Sequence, residues 1–170
     1  MKSFTRVLVF SLFALALAGC VPGRETVPPY YKDLARVDAA VDASSAQQMI
    51  SGYRQNNGLR PLTIDPMLMH AARQQAEAMA SANNVRASLD PNNRLASRLS
   101  AAGESKTYAV ENASAGYRTL AEAFSGWRDS PKHNAVMLDD RTTRMGIATA
   151  YAPGSKYRVF WSLVLAAPAP

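Results

Sequence analysis

The chain has 170 residues, 48% of them apolar, and carries 19 Lys and Arg against 13 Asp and Glu, a formal charge of +6 at pH 7. Its single cysteine excludes an internal disulfide, and its basic residues form no clustered stripe, which excludes the usual electrostatic footprint of a nucleic-acid binder. No internal repeat is present, and the globular part has the length of one domain with one hydrophobic core.

Lys2 and Arg6 precede an almost wholly apolar run, Val7 to Ala18. This run is too short to span a bilayer and has the length of a signal-peptide core. It ends in Leu17-Ala18-Gly19-Cys20, which resembles a bacterial lipobox. That resemblance implies a signal peptide over residues 1–19 and, on Cys20, a diacylglycerol thioether and an N-acyl chain of the palmitate type. Several such chains hold a protein stably at a membrane, because each buried CH₂ contributes about 0.8 kcal/mol. Val21 stands where lipoproteins kept at the inner membrane usually have Asp, so in a diderm bacterium the resemblance points to the outer membrane, facing the periplasm. Residues 20–40, with the segment VPGRETVPPYYKD, read as a flexible tether, and 41–168 as the domain. Without Lys2 and Arg6 a mild positive balance remains, which suits anionic envelope polymers or lipid headgroups.

In the domain, the spacing of Met49, Ile50 and Tyr53 predicts a helix from Ala43 to Asn56, capped by Ser44 or Ser45 and closed near Gly58. Asp65-Pro66 opens a second helix in the favoured cap-then-proline order. Leu68, Ala71, Ala72, Gln75, Ala76, Met79 and Ala80 give it the clearest apolar stripe in the chain, ending at Asn83-Asn84. A turn-rich stretch follows, with a short helix from Arg94 to Ala102 ending at Gly103. An extended run spans Ala109 to Ala113. A helix from Tyr117 to Asp129 carries Leu120, Ala121, Phe124 and Trp127 on one side, and Ser130-Pro131 restarts helical structure through Leu138. Two strand-like runs, Arg144 to Tyr151 and Lys156 to Leu165, flank the turn residues APGS. Helices followed by a hairpin predict an α+β domain.

Two side chains stand out chemically. Ser130 suits an N-cap and Pro131 the first helical position, which places His133 at the third, where the positive end of the helix disfavours imidazolium. Ser130 is then expected to bond a backbone N–H through its hydroxyl, which makes it a poor nucleophile. His133 fits either a structural histidine or, as a neutral imidazole, a ligand or hydrogen-bond acceptor. Glu111, in AVENASAG, is a carboxylate in an apolar segment and needs a partner; His133, Arg118 and backbone amides are the alternatives. His70 points away from the apolar stripe and is expected in solvent. Glu111 and His133 alone do not make a zinc site, which normally takes three protein ligands.

The segments NNGLRPLTIDPMLMHAARQQAEAMA, ASRLSAAG, VENASAG, FSGWRDSPKHNAVML, RMGIATAYA and YRVFWSLVLA resemble, in order and spacing, bacterial domains of the CAP superfamily (SCP-like; cysteine-rich secretory proteins, antigen 5 and pathogenesis-related proteins). The resemblance covers about Ser45 to Ala166. Its most specific pieces are Glu111-Asn112 and Trp127 followed by Ser130, Pro131, His133 and Asn134. It implies an α-β-α sandwich, a small antiparallel sheet flanked by helices, with a shallow cleft that holds Glu111 and His133 and is lined by Gln75, Asn112, Trp127, Ser130 and Asn134. Gln75 stands where many members have a histidine, Ala87 or Ser88 where a second one falls, and Leu163 where the last strand often carries Gln. These departures deplete any divalent-metal site, so no cofactor is expected.

The resulting expectation is a non-catalytic, membrane-anchored binding module for a lipid, peptidoglycan or protein ligand, with no nucleic-acid partner. The alternative is a divergent peptidase-like or metal-assisted hydrolase using Glu111 and His133.

Overall fold

The structure is a computed structural model that describes residues 27–168. The signal-like run, Cys20 and the start of the expected tether lie outside the described residues.

Helix α1 (Ala43–Asn56) starts where its spacing predicts, but its cap is Asp42, whose carboxylate accepts the Ser45 N–H at 2.7 Å. The charged acceptor two residues upstream of Ser44 replaces the expected serine cap. Gly58, at φ 75°, closes the helix as its position predicts. Strand β1 is only Thr63–Ile64 and leads into α2 (Pro66–Ser81). Asp65 caps α2 through the Met67 and Leu68 N–H groups. Two 3₁₀ turns, Val85–Leu89 and Pro91–Asn93, lead to α3 (Leu95–Ala101) and β2 (Ala109–Ala115). Helices α4 (Leu120–Asp129) and α5 (Pro131–Met137) precede the hairpin β3 (Arg144–Tyr151) and β4 (Val159–Ala166).

The sheet order is β1-β3-β4-β2. Three strands are antiparallel as expected, whereas β1 joins β3 in parallel, so the sheet is mixed. Two exposed residues offer no alternation from which such a strand could be read. Strand β2 forms one edge. Its even-numbered residues bond β4, a phase fixed by the flanking Gly116 N–H to Val159 and Ala167 N–H to Tyr108 bonds. The backbone N–H groups of Ala109, Glu111, Ala113 and Ala115 therefore point outward.

Helices cover both faces. On one, Leu68, Ala71, Ala72 and Ala76 of α2, with Leu99 of α3, pack against Ala148, Val164 and Ala166. Gly146 permits this approach: a Cβ there would lie 2.0 Å from the Leu68 carbonyl carbon. On the other face, Ile50, Leu120, Trp127 and Met137 pack against Ile147, Trp161, Leu163 and Leu165. Two buried arginines tie loops to this frame. Arg54 donates to the carbonyls of Arg60, Met137, Asp139 and Thr142. Arg144 bridges Asp65 and Glu104, at 2.8 and 2.7 Å.

The expected tether differs from its sequence reading over 27–40. Leu34 and Ala35 are buried in the core, the Leu34 N–H bonds the Arg118 carbonyl at 2.8 Å, and Asp33 pairs with Arg118. Two small apolar residues in a polar stretch are enough to dock it.

Candidate functional site

Successive side chains of a strand point to opposite faces, and β2 thereby divides the residues that the resemblance groups in one cleft. Glu111 faces α2 and α3. Asn112 faces α4 and α5.

On the Glu111 side, Arg98 of α3 donates to Oε2 at 2.7 Å and the Ser162 hydroxyl of β4 donates to Oε1 at 2.8 Å. Gln75 adds a longer bond to Oε2 at 3.4 Å. The pair is buried, with side chains 4% and 12% exposed. Arg98 is in turn oriented by the carbonyls of Ala71 and Asn93. The Asn93 amide reaches both Gln75 Oε1 and the Ala87 carbonyl. Asn93 thus links Gln75 to the Ala87 carbonyl, in the stretch where the resemblance puts the second lost imidazole. Among the described residues Glu111 bonds neither of the side chains the sequence suggested: Arg118 pairs with Asp33, and His133 makes no side-chain hydrogen bond to it.

On the other side, the Asn112 amide donates to the His133 carbonyl at 2.9 Å. Trp127 donates its indole N–H to Ser114 at 3.0 Å and packs edge-on against Trp161. The Asn134 side chain accepts from the Tyr53 hydroxyl. Ser130 precedes α5 in extended conformation but makes no side-chain cap bond, contrary to expectation; its carbonyl accepts the Asn134 N–H. His133 makes no side-chain hydrogen bond, and burial pushes its pKa below the ordinary value, so the imidazole is neutral at pH 7. The neutral form was expected from the helix terminus, whereas its cause is desolvation. Asn112 Oδ1 and His133 Nδ1 are buried without partners among the described residues. His70 is exposed, as expected, and Leu163 is fully buried against the tryptophan side.

A general base must come within about 2.6–3.2 Å of the proton it takes, and at Glu111 each oxygen already accepts a hydrogen bond, from Arg98 and from Ser162. The same geometry fails to fit a divalent cation. The donor set is one carboxylate and one amide, and a guanidinium stands where a metal would compensate the carboxylate. Among the described residues no group of three His, Cys, Asp or Glu side chains could hold a metal ion.

A mixed sheet between α2–α3 and α1–α4–α5, with a Glu-Asn pair on its edge strand, is the α-β-α architecture expected from the sequence. The family model described as Cysteine-rich secretory protein family, CAP, matches residues 47–165, and the chain belongs to that family. Among curated proteins none matches the sequence. Solved structures with the same fold include an extracellular protein containing an SCP domain from Bacillus anthracis, with TM-score 0.63 and 19% identity over 74% of this chain and 40% of that one. An outer surface protein of Borrelia burgdorferi gives 0.65 and 16% identity over 77% and 98%. A cysteine-rich secretory protein of Staphylococcus aureus gives 0.55 and 19% over 74% and 38%. The chain spans about two fifths of the Bacillus and Staphylococcus proteins and nearly all of the Borrelia one.

Proposed function

We propose that the protein is a non-catalytic CAP module, lipid-anchored through Cys20 in a bacterial envelope, that binds a lipid, cell-wall or protein ligand. The observation that carries the non-catalytic part is the occupation of both Glu111 oxygens by Arg98 and Ser162. A hydrolase built on Glu111 and His133 needs the two side chains to converge on one substrate, whereas the hydrogen bonds of Glu111 run to Arg98, Ser162 and Gln75 and not to His133. The lipobox-like LAGC supports the anchor, and the likeness to an outer surface protein of Borrelia and an extracellular protein of Bacillus agrees with an envelope location. Val21 favours the outer membrane and its periplasmic side.

Two assays on the full chain test these statements separately. Metabolic labelling with an alkyne fatty acid should mark the wild type and not Cys20→Ser; an unlabelled wild type refutes the anchor. The detergent-purified protein should sediment with peptidoglycan or retain extractable lipid without releasing soluble products from peptidoglycan or casein. Turnover that disappears in a folded Glu111→Gln variant would establish the hydrolase instead.

A further inference from the structure

The segment nearest the proposed anchor presents apolar and basic side chains together. Val27, Tyr31 and Val37 are large hydrophobic side chains that are 56%, 63% and 72% exposed. Val27 and Tyr31 line, with Lys32, Asp33 and Arg36, a shallow concavity of about 550 Å³. The segment is fixed on the domain by Leu34, Ala35 and the Asp33–Arg118 pair, so these side chains are held in place rather than carried on a loose strap.

The same end of the sheet gathers further residues of the same kind. Arg118 immediately precedes the Thr119 cap of α4. Close by in sequence, Gly116 lies against the Tyr157 ring. Lys156 lies over that ring at 4.9 Å, and the Arg158 guanidinium donates to the Tyr151 hydroxyl at 3.0 Å. Lys32, Arg36, Arg118, Lys156 and Arg158 outnumber the nearby acids Asp33, Asp38, Asp42 and Glu122, with Asp33 and Arg118 paired to each other. Tyrosines with an apolar body and a polar tip, among basic side chains with long apolar stems, suit the boundary between headgroups and acyl chains.

Chain length restricts where this surface can face. Seven residue steps separate Cys20 from Val27, which span at most about 25 Å when fully extended. We propose that the end of the domain bearing Val27, Tyr31, Lys32, Val37 and Arg36 docks directly on the anionic phospholipid surface that holds the anchor. The proposal rests on the lipid-anchor reading. It gives the domain a fixed orientation, with the 27–37 surface against the bilayer, in place of free rotation on a tether.

The test uses site-specific fluorescence on the acylated full chain. Because Cys20 is consumed by the anchor, Tyr31→Cys and the control Leu89→Cys each supply one free thiol for an environment-sensitive dye; Leu89 is also exposed, at 67%. The proteins are reconstituted in vesicles of three parts phosphatidylcholine to one part phosphatidylglycerol, with nitroxide-bearing lipids as quenchers. Quenching at position 31 should exceed that at 89 by about threefold or more, since interfacial side chains sit within roughly 5–10 Å of the acyl boundary. Lys32→Glu with Arg36→Glu should reduce the difference, while acyl labelling at Cys20 persists. Equal quenching at both positions in an acylated protein overturns the docking and leaves the anchor standing. A dye response at 31 that depends on protein concentration and not on vesicles also overturns it, in favour of self-association. If the wild type carries no acyl label, the anchor falls, and flotation of the full chain with the same vesicles decides the surface alone. Flotation abolished by the double charge reversal supports docking, and its absence overturns it.

Discussion

The two sides of β2 solve the same physical problem in opposite ways. Each carries a polar side chain of the Glu111-Asn112 pair into a region packed by helices. On the α2–α3 side the carboxylate, the guanidinium, the glutamine amide and the serine hydroxyl satisfy one another. On the α4–α5 side Asn112 makes one hydrogen bond through its amide N–H, and two buried polar atoms have no partner among the described residues. A buried network contributes to stability when complete and is costly when half-complete. The Glu111 side is therefore the hydrogen-bonded, structurally committed side of β2, and the His133 side holds unspent polar capacity.

The largest effect that separates the two sides should come from Arg98→Met, which leaves Glu111 buried beside Ser162 and Gln75 without its cation. Breaking one partner of a buried pair costs about 3–5 kcal/mol, measured as a drop in the urea midpoint. Arg98→Met with Glu111→Leu should recover much of that loss, because apolar replacement of both partners is often neutral. A double variant as unstable as the single would mean that the network, and not the charge pair, holds α3 to β2. Asn112→Ala should cost less, about 1–2 kcal/mol, for one lost hydrogen bond to the His133 carbonyl. His133→Phe should change stability at pH 7.5 by less than about 1 kcal/mol, because its side chain has no hydrogen bond to lose.

The smallest effect is a pH dependence confined to the His133 side. Burial lowers the folded-state pKa of His133, so below about pH 6.5 the unfolded chain binds a proton that the folded chain refuses, and stability falls as pH drops. Wild type should lose stability between about pH 6.5 and 5, above the range where carboxylates titrate. His133→Phe should abolish that slope, and Arg98→Met should leave it intact. A slope that survives in His133→Phe would assign the titration elsewhere.

Much of the scaffold was legible because its signals are local. Asp65-Pro66 and the Leu68-to-Met79 stripe mark α2, and Gly58 ends α1 by a turn that needs positive φ. The two-residue β1 carries no period, and Asp42 competes with two serines that are equally good caps by type. The division of the candidate site across β2 was implicit in strand alternation, yet the resemblance groups Glu111 and His133 and so obscures it. Arg98 was the residue missed. Its signal was present in the spacing Leu95, Arg98, Leu99, which puts the guanidinium on the apolar face of a short helix. An arginine is ordinarily read as solvated, and only the demand of a buried Glu111 distant in sequence explains why this one is not. Ser130 has the right type and place for a cap but makes no cap bond, since local preference does not fix a hydroxyl's rotamer.

The outward N–H groups of Ala109, Glu111, Ala113 and Ala115 give β2 a free margin of small side chains, the kind of border on which a foreign strand can crystallise into a larger sheet. Charged groups turned inward on such borders are a known deterrent to growth, and the Glu111–Arg98 pair is anchored on this one. The pair then guards solubility as well as shape, because an open strand edge is a template for pairing with a second chain. Losing the pair would remove an inward-turned charge from this edge together with a brace of the core.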